Sequence, residues 1–311
     1  MIMKPFSLLK YAFSIAIIAI LIFIAGPGKI FQRISNADIL WLGISIVFLL
    51  LTLIPGTLSL QVLLMPIKKI PIKKIIEYYS LTWALGNLLP GRLGSFYIVY
   101  LLKKEKVNLG QSTSIFILDK IITLTSVIAI SIFGLTFLFG SEGIIASFIV
   151  LGMVLVGSAI LYSESGRKFI RNYILKKYAQ NFSGFYQTTK EYFTKNLIAV
   201  IRNYKWTIVK ITLDSIVIWS VFNSLGISIP ILFVLTIYCA TAISTFVPFT
   251  LNGLGVRELL SLGLYSRIGV NTETVISTYL IIYVFNIILS GIILATLMKT
   301  EHMSIKDLLK N

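Results

Sequence analysis

The amino-acid sequence predicts an all-α polytopic membrane protein with about six transmembrane helices plus two re-entrant helical hairpins, arranged as an inverted-topology repeat. Of its 311 residues, 57% are hydrophobic and only 13% are charged, whereas soluble domains carry about 25% charged residues. Most of its long apolar runs can cross about 30 Å of hydrocarbon; the runs are Tyr11–Ala25, Ile39–Leu64, Ile115–Leu138 and Val275–Met298. This composition excludes a disordered chain, a disulfide scaffold and an ordinary cytosolic enzyme.

The predicted spans are about residues 8–26, 39–64, 113–138, 144–162, 207–226 and 275–298. We expect the first span to be retained rather than cleaved as a signal peptide, because no A-x-A-like site follows and Gly26-Pro27-Gly28 is typical of a turn. Most of the 28 Lys and Arg residues lie in alternate loops, with a large group in 163–205. The positive-inside rule therefore predicts a multi-pass protein of the cell membrane with both termini in the cytoplasm.

Two apolar segments, Leu81–Leu102 and Ile231–Ile268, are broken in the middle, at residues 87–94 and 247–255. Most of the halves are too short to span, and proline and glycine in the breaks favour a turn. Each segment is therefore predicted to be a re-entrant hairpin, and the alternative is one kinked spanning helix. Lysines at both ends of the first segment favour the hairpin, whereas the second segment has few flanking charges.

The two broken segments resemble each other. Pro90 and Pro248 open the breaks, Gly94 and Gly255 close them, and a Val-Asn pair follows each second limb at residues 107–108 and 270–271. Span, span, hairpin and span then occur twice with opposite orientation, in repeats predicted at residues 1–138 and 139–311. The basic stretch 163–205 is predicted to be an inserted amphipathic helical pair on the cytoplasmic face, since it is rich in aromatic residues.

Charged side chains inside a bilayer are costly, so those in the apolar segments are candidates for a binding site. Arg92 and Arg257 lie beside Gly94 and Gly255, where helix N-termini could bind a lipid phosphate. Glu258 could attract a cationic headgroup or take up a proton. The predicted substrate-binding residues are Asn87, Pro90, Arg92, Gly94, Asp119, Lys120, Asp214, Pro248, Asn252, Gly253, Gly255, Arg257 and Glu258.

Structural roles remain open for some of these residues. Asp119 and Lys120 lie near the start of a span and could reach the interface. Lys210 and Asp214 are four residues apart and could form an ion pair within one helix.

At these residues the chain resembles the lysylphosphatidylglycerol synthetase/flippase transmembrane family. The stretch Pro248–Glu258 is similar to the family's Pro…Gly-x-Gly-x-x-Glu pattern. The chain has Ser95 and Lys120 where the family usually has Glu and Arg, and Tyr283 lies near the place in the last span that usually carries an Arg. The resemblance implies movement of aminoacylated phospholipids or of polyprenyl-phosphate sugars, and, because no soluble synthase domain follows, transport without synthesis.

The predicted function is therefore a membrane lipid flippase whose partners are lipids with an anionic phosphate. Cys239 and His302 are the single cysteine and histidine, so no metal cluster, cofactor or catalytic triad is expected. The sequence has no phosphate-binding loop for ATP. The net charge of +16 is interpreted as topological, and no nucleic acid is expected. The alternatives are a secondary transporter of a small solute or ion, a lipid-phosphate transferase and a lipid-binding scaffold, and an oligomer is left open.

Overall fold

A computed structural model describes residues 5–89, 93–163, 184–246 and 253–300, and every regular element in these ranges is helical. The helices are α1 Pro5–Ala25, α2 Pro27–Ser35, α3 Ile39–Leu51, α4 Leu53–Leu64, α5 Ile72–Leu88, α6 Leu93–Lys104, α7 Leu109–Tyr162, α8 Phe185–Thr194, α9 Leu197–Ser224, α10 Ile231–Ala242, α11 Val256–Ser266 and α12 Thr272–Thr300. A 3-10 turn, Ile243–Phe246, follows α10. The all-α class is confirmed for these residues.

Within the described residues, four helical stretches are long and apolar enough to cross a membrane, so a membrane-embedded, multi-pass chain is confirmed. They are Ile39–Leu64, Leu109–Thr136, Leu197–Ser224 and Thr272–Leu297. A fifth is present if α1 and α2, which are bent by 83° at Gly26, count as one span. The predicted count of six is not confirmed. The predicted span 144–162 is the part of α7 that follows Gly140, whose φ of 57° and ψ of −135° interrupt the helix.

Two boundaries differ from the prediction. The connection between the first two predicted spans contains a helix, α2, because Gly26 turns the chain with a φ of 83° and Pro27 starts a new helix. Helix α9 begins at Leu197, ten residues before the predicted span at 207 and inside the predicted insert 163–205. The sequence was misleading here because a polar residue, Asn203, is buried and hydrogen-bonded within the protein rather than exposed at the interface. Residues 164–183 of the insert lie outside the described residues.

The chain forms two compact units, and each contains segments from both halves of the sequence. Unit one consists of Met1–Leu51, Ser80–Ser95 and Leu213–Asn311, and unit two consists of Thr52–Tyr79 and Phe96–Thr212. These units are defined by contacts and do not test the two sequence repeats predicted at residues 1–138 and 139–311, which stay a prediction.

The first broken segment is two helices, α5 and α6, whose facing ends are in contact. In unit one, a Cβ placed on Gly94 would overlap the carbonyl group of Leu85, and Ser95 lies against Gly86. In a continuous helix, residues 85 and 94 would be about 13 Å apart at 1.5 Å per residue, so the chain turns back between them. Only glycine allows so close an approach.

The outer ends of the same two helices meet in unit two, at Glu105. The Lys68 ammonium donates to the Glu105 carbonyl oxygen, and the Tyr78 hydroxyl donates to its carboxylate at 2.8 Å. Lys74 lies 3.8 Å from the same carboxylate. The start of α5 and the end of α6 are therefore held together.

The second broken segment, α10 and α11 in unit one, also turns back. A Cβ on Gly253 would lie 3.1 Å from the Thr245 methyl group and 3.3 Å from the Ser244 hydroxyl. Gly253 and Gly255 have φ values of 85° and 86°, a region that L side chains rarely adopt, so the turn requires glycine at both positions.

Candidate functional site

The first turn of α11 carries Arg257 and Glu258, two of the three charged residues of the second predicted hairpin. Its N-cap is Gly255, where a Cβ would press on the side chain of Ile17 at 2.8 Å. The Glu258 side chain turns back and accepts a hydrogen bond from the Gly255 N–H at 2.5 Å, which satisfies an N–H that the helix leaves free. Its other carboxylate oxygen accepts a hydrogen bond from the Tyr283 hydroxyl at 2.8 Å. Glu258 is 1% exposed, so both oxygens of a buried carboxylate have partners.

Arg257 is held by aromatic rings instead of a carboxylate. Its guanidinium carbon lies 5.2 Å from the centre of the Tyr238 ring and 5.3 Å from that of the Tyr279 ring, which is cation–π geometry. Among the described residues, Arg257 has no ion pair within 4.0 Å, and its buried Nε has no hydrogen-bond acceptor. The side chain is nevertheless partly exposed. Arg257 is therefore a positioned cation that makes no direct contact with a carboxylate among the described residues.

The two tyrosines that flank Arg257 are fixed by their own hydroxyl groups. Tyr238 donates a hydrogen bond to the Asp214 carboxylate at 2.8 Å, and the Tyr279 hydroxyl accepts one from Ser261 at 2.7 Å. Asp214 is thus bonded to one of the two tyrosines that flank Arg257. We call the set Asp214, Tyr238, Arg257, Glu258, Ser261, Tyr279 and Tyr283 the arginine cluster, and all of it lies in unit one.

A second polar set, the aspartate cluster, lies in unit two and consists of Ser59, Asp119, Lys120, Asn203 and Thr207. Asp119 accepts hydrogen bonds from the Lys120 ammonium at 2.8 Å and from the Asn203 amide at 3.2 Å. The same amide donates to the Ser59 carbonyl oxygen at 2.8 Å. The carboxylate is therefore neutralised by its neighbour in the sequence and tied to two other helices.

The structure separates the predicted site residues into groups. In unit one, the Asn87 amide donates to the Ser290 hydroxyl at 3.2 Å, while Gly94 and Gly253 form the close turns described above. The arginine cluster brings together, in or beside it, the predicted residues Asp214, Gly255, Arg257 and Glu258. The aspartate cluster brings together Asp119 and Lys120. Pro90, Arg92, Pro248 and Asn252 lie outside the described residues. Within the described part of the chain, no group of three His, Cys, Asp or Glu side chains could hold a metal ion.

A family model of the lysylphosphatidylglycerol synthase transmembrane region matches residues 11–293. The chain belongs to this family. The match confirms the resemblance that the motifs indicated, and it supports a function related to membrane lipids. No curated protein matches the chain at a significant level.

In this family member, sequence reasoning missed the partners of the charged residues. Tyr238, Tyr279 and Asn203 were not predicted as site residues, although Tyr238 and Tyr279 are hydrogen-bonding side chains in largely apolar helices and Asn203 lies in the basic first part of α9. Such positions are a usable signal, since polar groups in membrane helices mostly face other protein groups. Tyr283 was likewise not predicted as a site residue, and its hydroxyl donates a hydrogen bond to Glu258.

Proposed function

We propose that the chain is a flippase of the cell membrane that moves a phosphate-containing lipid, either an aminoacyl phospholipid or a polyprenyl-phosphate sugar, between leaflets. The observation that carries this proposal is Arg257: a cation at a helix N-terminus, clamped by two aromatic rings, without an ion-pair partner among the described residues. Transport, rather than chemistry, is the activity we assign.

A lipid phosphate suits this cation for physical reasons. An arginine in a bilayer costs about 2.5–3.5 kcal/mol on insertion scales, which favours any anion that can approach it. The first turn of α11, which carries Arg257, adds positive electrostatic potential from its N–H groups. The guanidinium can give a phosphate two parallel hydrogen bonds while the tyrosine rings hold its plane.

Glu258 is best assigned as a positioning residue. One of its oxygens caps α11 and the other binds Tyr283, so the carboxylate fixes the helix start that presents Arg257. Its negative charge also limits the local excess of positive charge, which helps a bound phosphate to leave again. We therefore place the headgroup on Arg257 and not on Glu258.

An inverted repeat is supported by matched positions in the two broken segments. Pro71 and Pro230 precede α5 and α10, and the carbonyl oxygen of each accepts hydrogen bonds from N–H groups three and four residues later. A Tyr-x-x-Thr motif follows in both segments, as Tyr79-x-x-Thr82 and as Tyr238-x-x-Thr241. The two motifs are 159 positions apart in the sequence, and so are the two prolines.

The exits from the two segments match as well. Lys106 and Gly269 have φ values of 60° and 79°. The N–H of the next residue, Val107 or Val270, bonds back over five residues at 3.1 Å in both cases. This is the same helix-ending motif at each site, and a lysine adopting the conformation that glycine prefers is unusual enough to support common architecture.

The proposed mechanism follows from this symmetry. The two broken segments enter the membrane from opposite faces as re-entrant hairpins, both termini lie in the cytoplasm, and rocking of one repeat against the other exposes Arg257 to each leaflet in turn. The acyl chains stay in lipid throughout, so only the headgroup needs a polar path.

The test is lipid translocation in proteoliposomes of phosphatidylcholine that contain trace lysylphosphatidylglycerol labelled on an acyl chain with a fluorophore. Dithionite quenches the fluorophore in the outer leaflet, so the rate of further quenching measures translocation. We expect Arg257→Gln to reduce this rate about tenfold or more, because one charge-assisted hydrogen bond contributes about 1.5–3 kcal/mol and tenfold corresponds to about 1.4 kcal/mol.

Arg267→Gln is the matched control, since it removes the same charge from an exposed residue just after α11. Normal translocation by Arg257→Gln would contradict the assignment of the site. Uptake of a solute without lipid movement would favour a solute transporter, and turnover of a labelled polyprenyl-phosphate sugar would favour a transferase. Loss of function on deletion of residues 163–183 alone would favour a scaffold.

A further inference from the structure

A polar pocket of about 410 Å³ lies in unit one beside α2 and contains no residue of the arginine cluster. It is lined by Lys29, Gln32, Arg33, Asn36, Leu225 and Glu273. This volume lies within the range of small-ligand sites, about 300–1,000 Å³, and it can hold a group larger than an inorganic anion. We call it the α2 pocket.

The polar lining follows from the periodicity of α2. Positions 29, 32, 33 and 36 are separated by three and four residues, so their side chains share one helix face. A second face carries Ile30, which is buried in a cluster with Leu21, Ala25 and Ile276. A third face leaves Phe31 75% exposed and Ile34 37% exposed.

The direction of α2 relative to α1 indicates how the three faces of α2 would lie in a membrane. The helix is bent by 83° from α1, which is the apolar helix before it. If α1 crosses the bilayer, α2 lies almost in its plane, with Phe31 among acyl chains and the polar face at headgroup level. An amphipathic helix of this kind is typical of the membrane interface.

The α2 pocket carries positive charge that its lining does not neutralise. Lys29 and Arg33 are four residues apart on one face, where like charges repel. Glu273 is the single acidic residue of the lining, and its carboxylate is 3.9 Å from the Arg33 guanidinium, too far for a hydrogen bond. Within the described part of the chain, the Lys29, Gln32 and Asn36 side chains have no hydrogen-bond or ion-pair partner.

We propose that the α2 pocket binds the phosphodiester headgroup of an anionic membrane lipid. The two cations and one carboxylate leave a single positive charge, which matches the single negative charge of a phosphodiester. The amides of Gln32 and Asn36 can bond hydroxyl groups of the headgroup, and Phe31 places the pocket beside the acyl chains. The assignment of a leaflet rests on the proposed function. If both termini are cytoplasmic, the pocket binds lipid of the non-cytoplasmic leaflet.

The experiment is calorimetric titration of the purified protein in detergent with dihexanoyl phosphatidylglycerol, whose short chains keep it soluble. The double variant Lys29→Gln/Arg33→Gln should bind this lipid about tenfold more weakly than the wild type, because each basic side chain near an anionic headgroup contributes separately. Dihexanoyl phosphatidylcholine should bind weakly to both proteins. Inorganic phosphate should not compete at equal concentration.

Two further variants separate charge from folding. Lys29→Arg/Arg33→Lys keeps both charges and should restore binding to within about threefold of the wild type, since the charge remains. Lys103→Gln/Lys104→Gln removes two charges from the end of α6 and should leave binding unchanged. Equal weakening by this control would mean diffuse attraction to the net charge, and equal competition by phosphate would mean a free-anion site; either result would overturn the proposal.

The proposal and the proposed function can fail independently. Arg257→Gln should lose translocation but keep the phosphatidylglycerol binding that depends on Lys29 and Arg33, because Arg257 is not in the α2 pocket. Wild-type affinity in the Lys29→Gln/Arg33→Gln variant would reject the α2 pocket whatever the outcome for transport.

Discussion

The arginine cluster and the aspartate cluster both place charges within membrane helices, but the charged groups have different kinds of partner in the two clusters. In the aspartate cluster, Asp119 is bound by Lys120 at 2.8 Å and by Asn203 at 3.2 Å, so its charge has two partners. In the arginine cluster, Glu258 caps α11 and bonds Tyr283, and the Arg257 guanidinium packs between two tyrosine rings without an ion pair among the described residues. We infer that the first cluster holds helices together and that the second is kept for an external anion.

The largest effect should come from breaking the aspartate cluster with Asp119→Ala. The substitution leaves Lys120 without its carboxylate and removes one of the two acceptors of the Asn203 amide. Loss of one partner of a largely buried ion pair costs about 3 kcal/mol. Detergent-induced unfolding followed by circular dichroism measures this loss. Arg257→Gln should cost less, about 1–2 kcal/mol, because it loses contacts with two aromatic rings but no ion pair seen in the described residues.

Asp119→Asn is the matched control, since it keeps the side-chain volume and an acceptor for Asn203, and its loss of stability should be intermediate. The comparison breaks down if Asp119→Ala unfolds like the wild type but no longer moves lipid. The aspartate cluster would then be the site of transport.

A smaller loss, about 2 kcal/mol, is expected for Asn203→Ala. Its amide joins Asp119 to the Ser59 carbonyl oxygen, and removing it leaves two buried acceptors without this donor. Asn223→Ala, also on α9, removes an amide bonded only to the carbonyl oxygen of Trp219 in the same helix and should cost less. The same unfolding measurement distinguishes the two, and equal losses would mean that the link between helices adds nothing.

The sequence was sufficient for the local features of the fold. Apolar runs and Gly26-Pro27 predicted spans and a turn because hydrophobicity and backbone freedom belong to the residues themselves. The turns near Gly94 and Gly253 were predicted for the same reason, and the structure shows glycine where a Cβ would meet another part of the chain.

Partners brought together by folding could not be predicted in this way. Nothing near Asn203 in the sequence indicates that Ser59 and Asp119 are its hydrogen-bond partners. From the sequence, this buried residue was therefore assigned to a basic interfacial segment, and the span in α9 was predicted to begin later than it does. Likewise, the sequence shows Tyr238 and Tyr279 only as residues of apolar segments, whereas in the structure their rings contact Arg257. Arg257 itself could be identified because its neighbours in the sequence carry the family pattern.

Tyr283→Phe should sharpen the contrast between charged and neutral hydrogen bonds. It removes the hydroxyl that donates to Glu258, a bond to a carboxylate, and should cost about 1.5 kcal/mol. Tyr204→Phe removes a hydroxyl that bonds the neutral Thr125 hydroxyl at 2.8 Å and should cost about 1 kcal/mol or less. Thermal unfolding in detergent measures both. A larger loss for Tyr204→Phe would mean that Glu258 does not depend on Tyr283.

The smallest predicted effect tests whether the ring of Tyr238 or its hydroxyl matters to Arg257. Tyr238→Leu removes the π face that the guanidinium contacts, and a cation–π contact of about 0.5–1 kcal/mol corresponds to a two- to fivefold slower translocation if it positions the cation for phosphate. Tyr238→Phe keeps the ring and loses only the bond to Asp214, so it should translocate lipid at nearly the wild-type rate. If the phenylalanine variant were as slow as the leucine variant, Asp214 would act on Arg257 through the hydroxyl, and the arginine cluster would depend on a carboxylate much as the aspartate cluster does.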